Sequence, residues 1–190
     1  MKRLSIGIIV ALSLLIFNPV VHAVPPPSKK TAKAPQKEPG ISVPSLGNNH
    51  VSSLETPHIP YNSKPPTSGP HLPMLAKWGI YDRPIPNELQ VHNLEDGGVL
   101  IQYDCKNCAE LIRKLEQLVK GYYERAKVEK EKTGSSKYEH LIVAPYPGLE
   151  TPVALTAWGK IDKLTDYDEA RIKRFIEAYV GIDHHPKHSN

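Results

Sequence analysis

Eight prolines fall between His50 and Asn87: Pro57, Pro60, Pro65, Pro66, Pro70, Pro73, Pro84 and Pro86. A proline lacks the backbone N–H that a helix interior or a central strand needs, and its ring fixes φ. This stretch therefore reads as irregular chain. It also carries Tyr61, Leu72, Met74, Leu75, Trp78, Ile80 and Tyr81, which can pack, so the expectation is stiff loops laid over a core. Preset φ angles lower the entropy lost on ordering and suit the placement of side chains around a site.

Regular patterning starts at Val99. Val99-Leu100-Ile101-Gln102-Tyr103 reads as a buried strand. A helix follows from about Cys108, with Leu111, Ile112, Leu115, Leu118, Val119 and Tyr122 on one face. His140 to Ala144 is a second strand and Val153 to Trp158 a third, which continues through Lys160 to Leu164 beyond a kink at Gly159. Asp166-Tyr167-Asp168-Glu169 supplies a cap for a last helix with Ile172, Phe175, Ile176, Tyr179 and Val180 on its core face, ended by Gly181. The order β-α-β-β-α predicts an α+β fold: a small sheet of three to four strands with two packed helices, after the proline-rich irregular segment.

The ends read differently. Lys2 and Arg3, an apolar run from Leu4 to Phe17 and Val21-His22-Ala23 form the pattern of a secretory signal over residues 1–23. Residues 24–49, rich in proline, lysine and small polar residues, read as a flexible tether. One globular domain is expected over residues 50–182 and a disordered, histidine-rich tail over 183–190. The signal implies a periplasmic or secreted protein, and nothing after Ala23 is apolar for long enough to span a bilayer.

The net charge of +4 includes Lys2 and Arg3. Without them 22 basic residues face 20 acidic ones, and four of those lysines lie in the tether against Glu38 alone. The folded part then has 18 basic and 19 acidic residues, which excludes a strong field for nucleic acid.

Four motifs carry a resemblance. Tyr61 to His71 (YNSKPPTSGPH), Trp78 to Asp82 (WGIYD), Val91 to Tyr103 (VHNLEDGGVLIQY) and Ala144 to Lys160 (APYPGLETPVALTAWGK), in this order, resemble the bacterial family catalogued as domain of unknown function 3105. The resemblance covers roughly His50 to Gly181. It implies an exported or membrane-tethered protein. It implies no activity. The family's central motif resembles His-Asn-Leu-Glu-His-Gly-Gly, and in this sequence Asp96 stands at the second histidine.

Three places could carry chemistry, the last of them the tail Asp183 to His188, whose clustered histidines can bind metal loosely although a solvated terminus is the default. The first is His71 with His92 and Asp96, residue types that ligate zinc or copper in exported proteins. His92 and Asp96 share a face in a helical turn and also in an extended chain, whereas Glu95 leaves that face if the chain is extended. Glu95, His58 and Met74 are weaker candidates, and His50 is a further donor from the same loops. A polar turn before Gly97-Gly98 accounts for the same residues without a metal. Replacing a histidine by Asp96 hardens the donor set, favouring zinc or Cu(II) over Cu(I).

The second is Cys105-Lys106-Asn107-Cys108, at the hand-over from strand to helix. Strand, Cys-x-x-Cys and helix form a thioredoxin-like order, with Cys105 as nucleophile and Cys108 as resolving thiol. A local structural disulfide, or metal binding by the two thiolates, fits the same spacing. The sequence has no nucleophile elbow and no phosphate-binding glycine loop. The leading expectation is an exported cell-envelope protein that binds or handles copper or zinc and is not an enzyme. Its rivals are a thiol-disulfide oxidoreductase and a structural module that engages an envelope protein without a metal.

Overall fold

The protein is described by a computed structural model over residues 38–186. The expected signal and the first part of the tether, residues 1–37, lie outside the described residues, as do residues 187–190. No helix among the described residues is long and apolar enough to cross a membrane.

Six strands and three helices form in the order β1 (Ile41–Ser42), β2 (Gly79–Ile80), α1 (Asn87–Glu95), β3 (Val99–Tyr103), α2 (Ala109–Thr133), β4 (Leu141–Pro145), β5 (Val153–Ala157), β6 (Lys160–Leu164) and α3 (Glu169–Tyr179). They build one sheet ordered β1-β6-β5-β3-β4-β2. β3 and β4 are parallel, as a helical crossover through α2 requires. β5 runs antiparallel to β3 and to β6.

Both faces of the sheet are covered, which explains why β3 and β4 read as continuous apolar runs. Val99, Ile101, Leu141, Val143 and Leu155 pack with Leu115 and Val119 of α2 and with Ile172, Phe175 and Ile176 of α3. Leu100, Ile142 and Ala144 point the other way and pack with Leu94 of α1, with Ile85 and Ala76, and against Trp78, Tyr81 and Trp158. The proline-rich segment is thus the second cover of the sheet, as its apolar residues suggested.

Four expectations need correction. The sheet has six strands and the fold three helices, where three to four strands and two helices were expected. Lys160 to Leu164 does not continue the third strand. Ala157 pairs with Lys160 across the two-residue turn Trp158-Gly159, with Gly159 at φ 65°, so the chain reverses into a hairpin.

Helix α1 was not foreseen. Its buried residues are Gln90, Val91, Asn93, Leu94 and Glu95. Three of the five are polar, so the helix shows no apolar stripe to read.

The tether ends earlier than residue 49. Ile41 and Ser42 pair with Ile161 and Lys160 at the sheet edge, and the Tyr179 hydroxyl donates to the Pro39 carbonyl at 2.7 Å. Backbone bonds, not apolar side chains, order this stretch. The tail is likewise not free over Asp183 to Pro186. The His184 N–H donates to the Glu95 carbonyl at 2.8 Å, just after Gly181 N–H donates to the Gly97 carbonyl at 2.7 Å.

Candidate metal centre

The site forms where three distant pieces of chain meet at the C-terminal end of α1. The first piece is the run Gly47 to Val51, which lies along Gly69 to His71. Gly69 N–H donates to the Gly47 carbonyl at 2.9 Å, His71 N–H to Asn49 at 3.0 Å and Val51 N–H to His71 at 2.8 Å. This short parallel bridge sets His50 beside His71. The second piece, Gly69 to His71, is steadied by the Tyr61 hydroxyl, which donates to the Pro70 carbonyl at 2.5 Å.

The third piece is α1 itself. The Asn93 side chain accepts from Ala76 N–H at 2.9 Å and donates to the Ala76 carbonyl at 2.8 Å, tying the helix to the proline-rich cover. His92, Glu95 and the C-cap Asp96 then project from its last turn. A helix C-terminus carries partial negative charge, so two carboxylates there call for cations or donors around them. Imidazoles supply that surrounding.

His71 is fully buried. Its Nδ1 lies 2.7 Å from the Gly69 carbonyl and its Nε2 lies 2.9 Å from Glu95 Oε2. Glu95, also fully buried, accepts at Oε1 from Asn48 Nδ2 at 2.7 Å. Both His71 nitrogens therefore face acceptors. A neutral imidazole has one N–H, so the second contact, at its present length, needs an additional proton on the ring or on the carboxyl.

His92 completes the constellation. Its Nδ1 is buried without a hydrogen-bond partner, and its Nε2 stands 3.9 Å from Asp96 Oδ1. Burial holds its pKa below the ordinary 6.5, against the opposing pull of Asp96. Neutral imidazole is the metal-binding form. The His50 and His71 ring centres are 5.0 Å apart, those of His50 and His92 5.4 Å, and those of His71 and His92 5.1 Å.

One ligand atom from each of His50, His71, His92 and Glu95 lies within 4.8 Å of the others. A tetrahedral zinc shell with bonds near 2.1 Å has edges of about 3.4 Å, so seating all four on one ion requires the wider pairs to close and the 2.9 Å His71–Glu95 contact to open. His92, Asp96 and His185 form a second set with the same spacing limit.

Residues 50–190 match a family model described as "Protein of unknown function (DUF3105)". The chain belongs to this family. No curated protein and no solved structure matches it. The matched DUF3105 region contains every residue of both ligand sets, and it begins at His50 itself.

Among the expected ligands of this DUF3105 chain, His71 and His92 come together. Asp96 does not join them in the first set. It falls in the second, and Glu95 takes its place. The helix is the reason: residues three apart and four apart both lie near one face, so Glu95 keeps company with His92. His58 is elsewhere, 2.7 Å from the Ile59 carbonyl and 3.3 Å from Glu88. Met74 is 57% exposed and belongs to neither set. Asn48 was not foreseen as part of the site, and nothing local marks it. His185 stands in a histidine cluster that was expected to be a solvated tail, and a long-range backbone contact brings it to the site.

Cys105 and Cys108 are joined by a disulfide, with Cys108 at the N-cap of α2. They follow the C-terminal end of β3, whereas α1 and the glycine pair precede its start. Neither cysteine belongs to a metal-ligand group among the described residues. The thiolate ligands considered for the metal are therefore not supplied by this pair.

Proposed function

We propose that this protein binds a transition-metal ion, zinc or copper, through His50, His71, His92 and Glu95, as an exported cell-envelope protein that stores or passes on the ion. The observation that carries the reading is the convergence of His50, His71, His92 and Glu95, each with one ligand atom within 4.8 Å of the others. An ion held by all four would take the place of the 2.9 Å contact between His71 and Glu95. Three imidazoles and one carboxylate suit Zn²⁺ or Cu²⁺ better than the softer Cu(I). Four protein donors would fill a tetrahedral shell, which argues for holding an ion over hydrolysing a substrate.

The test is to purify the exported chain, measure bound metal, and titrate Zn²⁺ and Cu²⁺ into the wild type and into His71→Ala and His92→Ala. One equivalent in the wild type, lost in both variants, is the expected result. A wild type that carries no metal and takes up none would end this reading.

The cysteine pair favours a second reading. It caps a helix after a buried strand, within a β-α-β unit, and both sulfurs are partly exposed. That is the arrangement of a thiol-disulfide exchanger. A reduction potential below about −300 mV would mark the bridge as structural and remove this alternative.

A further inference from the structure

The second ligand set, His92, Asp96 and His185, shares His92 with the first. His185 reaches the site because the chain after α3 folds back along α1. Two backbone bonds hold it there: Gly181 to Gly97 at 2.7 Å, and His184 to Glu95 at 2.8 Å. The His184 ring lies 6.0 Å from that of Trp158, tilted by 22°. His185 Nε2 then stands 3.6 Å from Glu95 Oε2, and its Nδ1 stands 3.5 Å from Asp96 Oδ1 and 2.7 Å from Asp183 Oδ1.

The two sets differ in how much of each is buried. The first has exposed His50 but also His71 and Glu95, which are buried and already in contact with each other, so an ion that seats on them must shed its water while displacing that contact; the second has no buried member. The His185 and Asp96 side chains are 41% and 27% exposed, and the Asp183 carboxylate adds negative charge at the same mouth. An ion can bind there while partly hydrated. It can then change partners without leaving His92.

We infer that His92, Asp96 and His185 form an outer metal position through which the ion reaches the inner one. The inference rests on the inner site being a metal centre, and its test separates the two. Cu²⁺ is mixed rapidly with the metal-free full chain, and uptake is followed by quenching of tryptophan fluorescence, since the Trp158 ring lies 6.2 Å from that of His71. Asp96→Asn/His185→Gln should slow uptake about tenfold or more while equilibrium affinity falls by less than about threefold and the stoichiometry stays at one.

His185→Gln alone alters an exposed residue and should show part of the same slowing, which guards against misfolding of the double variant. His58→Gln, outside both sets, should leave the uptake rate as it is in the wild type. Unchanged uptake in the double variant would overturn the outer position and leave the inner site standing. So would an affinity loss as large as that of His71→Ala, because Asp96 and His185 would then belong to the inner shell. A wild type that binds neither Cu²⁺ nor Zn²⁺ defeats both readings.

Discussion

His71 Nε2 lies 2.9 Å from Glu95 Oε2, and the two side chains are 0% and 1% exposed. Glu95 also accepts from Asn48. Truncation at this point removes one partner of a buried pair and leaves the other unpaired. Glu95→Ala should cost about 3–5 kcal/mol in the metal-free protein, read from urea unfolding.

Glu95→Gln separates fold from function at the same position. The amide oxygen can still accept from Asn48, and the amide N–H₂ can donate to a neutral His71. This variant should unfold within about 1 kcal/mol of the wild type and yet bind Zn²⁺ or Cu²⁺ about 10–100-fold more weakly. Equal metal affinity in the two proteins would show that Glu95 serves the fold alone.

Asn93 is the clamp between α1 and the proline-rich cover. Asn93→Ala would strip both the N–H and the carbonyl of Ala76 of their partners in a buried place. The expected cost is about 2–4 kcal/mol by denaturant titration. A loss under about 1 kcal/mol would mean that water or a rearranged loop replaces the clamp.

Gly98 leaves no room for a side chain. A Cβ there would run into the Asn93 carbonyl oxygen and meet the Trp78 ring at 2.8 Å. Gly98→Ala should therefore destabilise by about 1–3 kcal/mol and shift the emission of Trp78, since the ring has to move or the helix end has to open. Wild-type emission together with wild-type stability would contradict this packing.

The cysteine pair closes a very short loop, for which chain entropy allows about 2 kcal/mol of stabilisation. Cys105→Ser/Cys108→Ser should lose no more than that. It should also leave metal affinity alone, because β3 separates the bridge from the histidines. Combined with Glu95→Gln, the effects on stability should add to within about 0.5 kcal/mol. Strong coupling in that cycle would show that the two places communicate.

Much of the fold could be read in the sequence, for a physical reason. Leu115, Val119 and Tyr122 repeat at helical spacing because α2 has one wet face, and β3, β4 and β5 are marked by apolar runs, whereas the mixed sequence of β6 left its reversal at Gly159 unread. The run Asp166 to Glu169 does supply the cap of α3, but through Asp168, which accepts from Arg171 N–H at 2.9 Å, and not through a capping box begun at Asp166. Helix α1 left no such trace, since the residues it buries are chosen for hydrogen bonds and not for oiliness. β1 and β2 are two residues long and exist only because a neighbouring strand offers an edge.

The candidate site was half legible. His71 and His92 stand in conspicuous polar motifs. Their partners His50 and His185 are delivered by pairing along the chain ends, and no spacing rule reports that. The choice between Glu95 and Asp96 turned on whether the backbone there is helical, which the local pattern did not decide.

The early segment has a mechanical consequence. Asn48 and His50 ride on the run of chain that follows Glu38 and is held to β6 through Ile41 and Ser42, through Val43 N–H on the Gly159 carbonyl at 2.9 Å, and through Lys160 Nζ, which bonds Glu38 at 2.5 Å and the Ser42 hydroxyl at 3.0 Å. Force applied upstream would peel this run from the sheet edge from its beginning. It would then draw Asn48 and His50 away from Glu95 and His71 while the rest of the sheet stayed whole. The chain would thus act as a ripcord on its own cargo. Pulling a single loaded molecule from residue 38 should release the ion at a lower force than the one that unfolds the domain, and release only on full unfolding would show that the run is not separable.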